Sequence, residues 1–165
     1  MSMTEALIAE LTRESETTRR VLERVPEDRL SWKPHEKSMS LGQLALHIAR
    51  LPAAITGLFS EPTGSIRNVP LPEASSRDEI LAELDEGIAT ARSRLTEWGE
   101  EGLNAEWRLV RDGETLLAMP RSAGLRSILL NHSYHHRGQL TVYLRLLDVP
   151  LPPVYGSTAD ERLFE

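Results

Sequence analysis

LRSILLNHSYHHRGQLTVYLRLL, residues 125–147, is the stretch from which the fold is read. Leu125, Leu129, His132, His136, Gln139, Tyr143 and Leu146 recur in alternating steps of four and three, the spacing that places side chains on one face of an α-helix. Pro120 suits a first helical turn, where its lacking N–H costs nothing. The spacing therefore predicts a helix from about Pro120 to Leu147, ended by the three prolines of VPLPPVYGSTADE.

Working outward, three further helices are expected. From about Thr4 to Val25, Leu7, Leu11, Val21, Leu22 and Val25 keep helical spacing among Glu, Arg and Thr. A second helix opens at Ser40, where Ser40 and Gln43 form a capping box, and runs through LGQLALHIARLPAAITGLF; Pro52 should kink it or end it near Leu51. Residues 61–75, rich in proline, read as the longest loop. Ser76 and Glu79 form a second capping box ahead of a third helix carrying Ile80, Leu84, Ile88, Ala91, Leu95 and Trp98, which Gly99 and Gly102 should stop. Asp112-Gly113 between Trp107, Leu109 and Leu116 signals a tight hairpin. The predicted fold is all-α: one domain over residues 1–165, an up-down-up-down four-helix bundle with a small hairpin between helices three and four.

The 165 residues include no cysteine, which excludes disulfides, thiolate nucleophiles, iron–sulfur clusters and thiolate zinc sites. Any metal must be held by histidine and carboxylate. A chain of this length can bury roughly 70% of its unfolded surface and needs no structural metal to fold. Twenty-five acids against 19 bases give a net charge of −6, and no cluster of Lys and Arg suited to phosphates occurs, so nucleic acid is not the expected partner. The N-terminus MSMTEALIAELTRE is acidic early, without a signal peptide's apolar core, and no run reaches the ~18 apolar residues of a membrane span. A cytoplasmic protein is expected.

The five histidines carry the chemistry. His132 and His136 lie four residues apart, about 6 Å along a helix, and two imidazoles so placed can reach one metal. They fall within the stripe predicted to be buried, where paired imidazoles need compensation for lost hydration. His47 lies on helix two among Leu44, Ile48 and Leu51, on the predicted core face. Three neutral nitrogens from two helices make an open site, catalytic in type, that suits zinc, nickel or iron without choosing among them. His135, three residues from His132, competes with His136 as a ligand on the alternative stripe Ile128, His132, His135, Gln139, Val142. His35 reads as a solvated loop residue. Glu14 and Thr18, polar positions on the stripe of helix one, either face the site or lie at its edge in water; Tyr143 either donates to a bound ligand or fills core. No HExxH motif or other obvious general-base carboxylate is present.

The segments WKPHEKSMSLGQLALHIA (Trp32 to Ala49) and NHSYHHRGQLTVYLRLLDVPLPPVYG (Asn131 to Gly156) resemble the two signature regions of the DinB superfamily, which includes the YfiT-like metal-dependent hydrolases and thiol transferases. The resemblance covers nearly the whole chain. It implies a four-helix bundle, usually a homodimer, with a divalent metal on one histidine of helix two and an HxxxH of helix four: His47, His132 and His136, with His136 preferred over His135. It also implies a small-molecule substrate, such as a low-molecular-weight thiol whose sulfur passes to an electrophile, or a hydrolytic one. The competing expectation is a stress-response module that binds metal or ligand without turnover; a third is an interaction protein in which the histidines no longer act.

Overall fold

The computed structural model describes residues 1–65 and 71–164, so part of the expected long loop, residues 66–70, lies outside the described residues. Helix α1 (Met3–Leu22) begins where the Ser2 hydroxyl accepts from the Glu5 N–H at 3.1 Å and the Glu5 carboxylate accepts from the Ser2 N–H at 2.7 Å. Helix α2 (Leu41–Leu58) opens on the expected box of Ser40 and Gln43. It does not end at Leu51: the helix runs through Pro52. Leu51, Pro52, Thr56 and Phe59 are all buried, and that burial outweighs the roughly 3 kcal/mol a mid-helix proline costs.

Helix α3 (Arg77–Asn104) is capped by Ser76, but the Glu79 carboxylate turns to the N–H and hydroxyl of Ser75, both at 2.7 Å, so the expected box is half made. At Gly99 the backbone leaves helical geometry, with φ of 54° and ψ of −163°, so the regular helix breaks there as expected, and a short helical segment follows across the kink as far as buried Leu103 and Asn104.

The fourth rod is continuous but not uniform. Helix α4 (Arg121–Gly124) passes into a π-helical stretch (Leu125–Leu130) and then α5 (Asn131–Leu146), with Pro120 just ahead of the first turn. A π turn takes up extra residues, so the buried positions slip from the predicted four-three rhythm. The face toward the core follows Leu125, Leu129, Ser133, His136, Leu140 and Leu144, in steps of 4-4-3-4-4, with Arg137 buried beside His136. Gln139 is exposed, Tyr143 half-buried and Leu146 58% exposed, which corrects the predicted stripe in its second half.

Hydrogen bonds across the bundle fix the order of the rods. Thr4 reaches Glu100 and Arg19 reaches Asp85, so α1 and α3 are antiparallel. Arg50 reaches Glu83 and Arg94 reaches the Ala53 carbonyl, so α2 and α3 are parallel. Tyr134 reaches Glu10 and Arg137 reaches Glu14, so α5 runs with α1. The topology is up-down-down-up, not the expected up-down-up-down. The length of the α2–α3 connection permits this order: residues 59–76 can span up to ~60 Å extended, enough to return along a helix whose 18 residues rise about 27 Å.

The predicted hairpin forms from β2 (Glu106–Arg111) and β3 (Glu114–Pro120), turning on Asp112 and Gly113 with φ of 53° and 82°. An unpredicted strand, β1 (Thr63–Gly64), pairs parallel with β2, so the fold is mostly helical with a three-stranded sheet rather than all-α. Two residues, Thr63 and Gly64, directly after Pro62 carry no alternating pattern from which to read a strand. Trp107 locks the sheet to the bundle, buried against Phe59 with its indole N–H donating to the Leu58 carbonyl at 3.1 Å. Among the described residues no helix is long and apolar enough to cross a membrane.

Candidate metal centre

α2 and α5 run antiparallel and bring His47 against His132 and His136. One ring nitrogen from each of the three lies within 4.8 Å of the other two, and no carboxylate joins the cluster among the described residues. The ring centres of His47 stand 5.4 Å from His132 and 4.7 Å from His136. His136 is buried and the other two are half-buried. The cluster thus sits on the flank of the core between two rods, a consequence of the slipped stripe, rather than in its middle.

Tautomers make the arrangement informative. His136 Nδ1 lies 2.6 Å from the Gln139 amide oxygen, so that nitrogen carries a hydrogen and donates it. The Ile128 carbonyl acts on the His132 ring in the same sense, favouring a proton. The Nε2 atoms of His132 and His136 face each other at 2.7 Å. With its Nδ1 donating, the neutral His136 ring presents a lone pair at Nε2, which the facing His132 Nε2 meets by donating to it or by sharing a cation with it. Burial lowers the pKa of all three rings, and the other two histidines lower that of His47 further, to about 4. The rings are therefore neutral near pH 7, the state in which imidazole ligates a metal. The donor set fits a divalent ion of the nitrogen-preferring series.

The remaining candidates lie elsewhere. His135 is exposed, its ring 4.9 Å from that of His136 but outside the cluster. His35 is exposed in the α1–α2 connection. Glu14 and Thr18 face neither the histidines nor open water. The Glu14 carboxylate pairs with Arg137 at 2.8 Å, and the Thr18 hydroxyl accepts from the same guanidinium at 3.2 Å. Tyr143 packs edge-on to Trp32 and donates to the Met39 carbonyl at 3.3 Å.

Arg137, 2% exposed, is absent from the sequence expectations. Tyr155 of the tail accepts from it and donates to Glu14 at 2.8 Å, while the rings of Tyr134 and Tyr155 lie 5.3 and 5.0 Å from its guanidinium carbon. The network ties the C-terminal segment to α1 directly behind His136. A signal did exist: Leu130, Ser133, Arg137, Leu140 and Leu144 keep helical steps, with arginine in an otherwise core-facing series.

Beside the cluster opens a groove of about 770 Å³, with His47 and His132 at one end, Leu51, Ile55, Leu58 and Ile128 along it, and Glu61 beyond the end of α2.

Four helical rods with a three-histidine cluster between two of them define a helical-bundle protein whose donor set could hold a metal ion. The chain matches the family model described as "DinB family" over residues 1–162, and it belongs to the DinB family. It is 23% identical over 154 residues to the uncharacterized protein YrdA of Bacillus subtilis (strain 168), covering 90% of this chain and 85% of that protein. Among solved structures it is similar to a DinB-like protein from Bacillus cereus ATCC 10987, with a TM-score of 0.70 and 28% identity over 92% of this chain and 97% of that one. It also shares its fold with the DinB-like protein YjoA from Bacillus subtilis, with a TM-score of 0.69 and 21% identity over 91% and 96% of the two chains.

Proposed function

We propose that this protein is a cytoplasmic, divalent-metal-dependent enzyme acting on a small molecule, with transfer of a low-molecular-weight thiol through its sulfur to an electrophile as the leading reaction and hydrolysis as the second. The observation that carries the reading is the cluster of three ring nitrogens within 4.8 Å of one another, the Nε2 atoms of His132 and His136 facing at 2.7 Å and the His136 Nδ1 directed to the Gln139 amide oxygen. His47, His132 and His136 would hold the ion, and Gln139 keeps His136 in the ligating tautomer. A divalent ion held there, whether zinc, nickel or iron, lowers the pKa of a thiol or water that binds it. Since the chain has no cysteine, any sulfur in the reaction arrives on the substrate. The groove supplies a largely apolar channel to the cluster. A homodimer, implied by the resemblance, belongs to the same reading; sedimentation should give twice the mass of the 18.5 kDa chain.

The test is a panel of low-molecular-weight thiols with a chromogenic electrophile. Turnover should vanish on chelation and in His132→Ala, and return when metal is restored to the wild type. Turnover indifferent to both would contradict the reading. The lack of a carboxylate in the cluster favours one alternative, a metal-sequestering module. Metal retained through purification, with no turnover across thiol and ester panels, would favour that alternative.

A further inference from the structure

We infer that the groove selects a small carboxylate with an apolar body, and that Arg50 is the residue that reads the carboxylate. The inference rests on the reading of the site as one that acts on a small molecule. Arg50 lines the groove three residues beyond His47 on α2, about 4.5 Å further along the helix and on the same side. Other arginines on these rods are spent on the protein itself. Arg94 donates to the Ala53 carbonyl and the Thr56 hydroxyl, Arg121 to the carbonyls of Phe59 and Gly102, and Arg137 lies in the buried network.

Arg50 is held differently. Its side chain is 39% exposed, and one nitrogen, Nη2, meets Glu83 at 2.6 Å and Glu79 at 3.9 Å. Nε and Nη1 have no hydrogen-bond partner among the described residues. Glu83 thus fixes the guanidinium from one side while donors remain on the other, which lowers the entropy a ligand must remove on binding. A guanidinium edge matches the two oxygens of a carboxylate, which a hydroxyl cannot reproduce. Among the described lining residues the other charged side chain is Glu61, past the end of α2, with His47 and Leu58 about 16 Å apart along the axis. Leu51, Ile55, Leu58 and Ile128 accept an apolar body between them. A substrate so placed has its reacting group at the histidine cluster and its carboxylate one helical turn away.

The experiment uses the full chain, once with EDTA and once with zinc, titrated calorimetrically with 4-phenylbutyrate and with 4-phenylbutan-1-ol, which share a body and differ in the carboxylate. In EDTA the wild type should bind the acid about tenfold more tightly than the alcohol, a preference metal cannot supply. Arg50→Met should bring the two affinities together while leaving the alcohol's unchanged. Arg50→Lys, which keeps the charge but loses the fork, should fall between. Ala54→Trp, which fills the exposed wall of the groove, should weaken both ligands. Preference unchanged in Arg50→Met, no binding of either ligand by the wild type, or a preference present only with zinc would each overturn the inference. Zinc content is measured on the same samples. Arg50→Met should keep its zinc, so loss of the metal reading would register there and not in the acid-to-alcohol ratio.

Discussion

At the scale of single residues, the three histidines differ from ordinary ones in what surrounds them. His47 in the metal-free protein has its pKa lowered from 6.5 to about 4, first by burial and then by the neighbouring rings. Above pH 6.5 neither folded nor unfolded chain is protonated there, so stability is level. As the pH falls from 6.5 to 4 the unfolded chain binds a proton that the folded one refuses, and stability drops. In EDTA the urea midpoint should therefore decline across that window, and less steeply in His47→Gln; equal slopes would contradict the burial argument. Gln139 acts through His136. Gln139→Leu should weaken metal binding about 10- to 100-fold while the helical circular dichroism stays that of the wild type. Arg137 behaves as a structural residue. Arg137→Met leaves the Glu14 carboxylate without its partner and should cost about 3 kcal/mol in urea unfolding, with Glu14→Gln costing less because the amide still accepts.

At the scale of elements, the slipped phase of the fourth rod has a steric counterpart at its start. A Cβ at Gly124 would lie 2.3 Å and 2.6 Å from two atoms of the buried Phe59 ring. Gly124→Ala should therefore destabilise by about 1–3 kcal/mol, read from the thermal midpoint and denaturant curve. Much at this scale was legible beforehand. The serines at 2, 40 and 76 mark helix starts through side-chain chemistry that acts within four residues, and Ser40 with Gln43 could be read directly; so could the Asp112-Gly113 turn. What was not legible depends on partners remote in sequence. Pro52 stays helical because its neighbours are buried. β1 exists because β2, more than forty residues later, offers an edge. The π-helical stretch moves Gln139 and Leu146 out of the core although their spacing is right for an undistorted helix. The HxxxH pair survived this error because His132 and His136 lie within one turn of each other, too close for a phase slip upstream to separate them.

At the scale of the whole molecule, the core is divided between two ends of the bundle, one around Leu22, Leu44, Ile80 and Leu140 and the other around Leu11, Phe59, Leu95 and Leu129. The histidines lie between the two, on one flank. Folding therefore does not depend on them, and His47→Ala should keep the helical signal. A metal that binds only the folded chain adds stability by mass action, about 2.7 kcal/mol at a hundredfold excess over its Kd, so EDTA should lower the thermal midpoint of the wild type without unfolding it at 25 °C. His132→Ala should show no such shift. The up-down-down-up order was beyond the sequence reading because a long connection permits either direction, and only hydrogen bonds between rods, such as Arg50 with Glu83, distinguish them. The most direct test of the central claim, that His47, His132 and His136 together hold one divalent ion, is elemental analysis with calorimetric titration of zinc into the chelated wild type and the three single alanine variants. One ion per wild-type chain, with affinity lost in each variant, is the predicted result; no binding by the wild type, or undiminished binding in any one of the three variants, would contradict it.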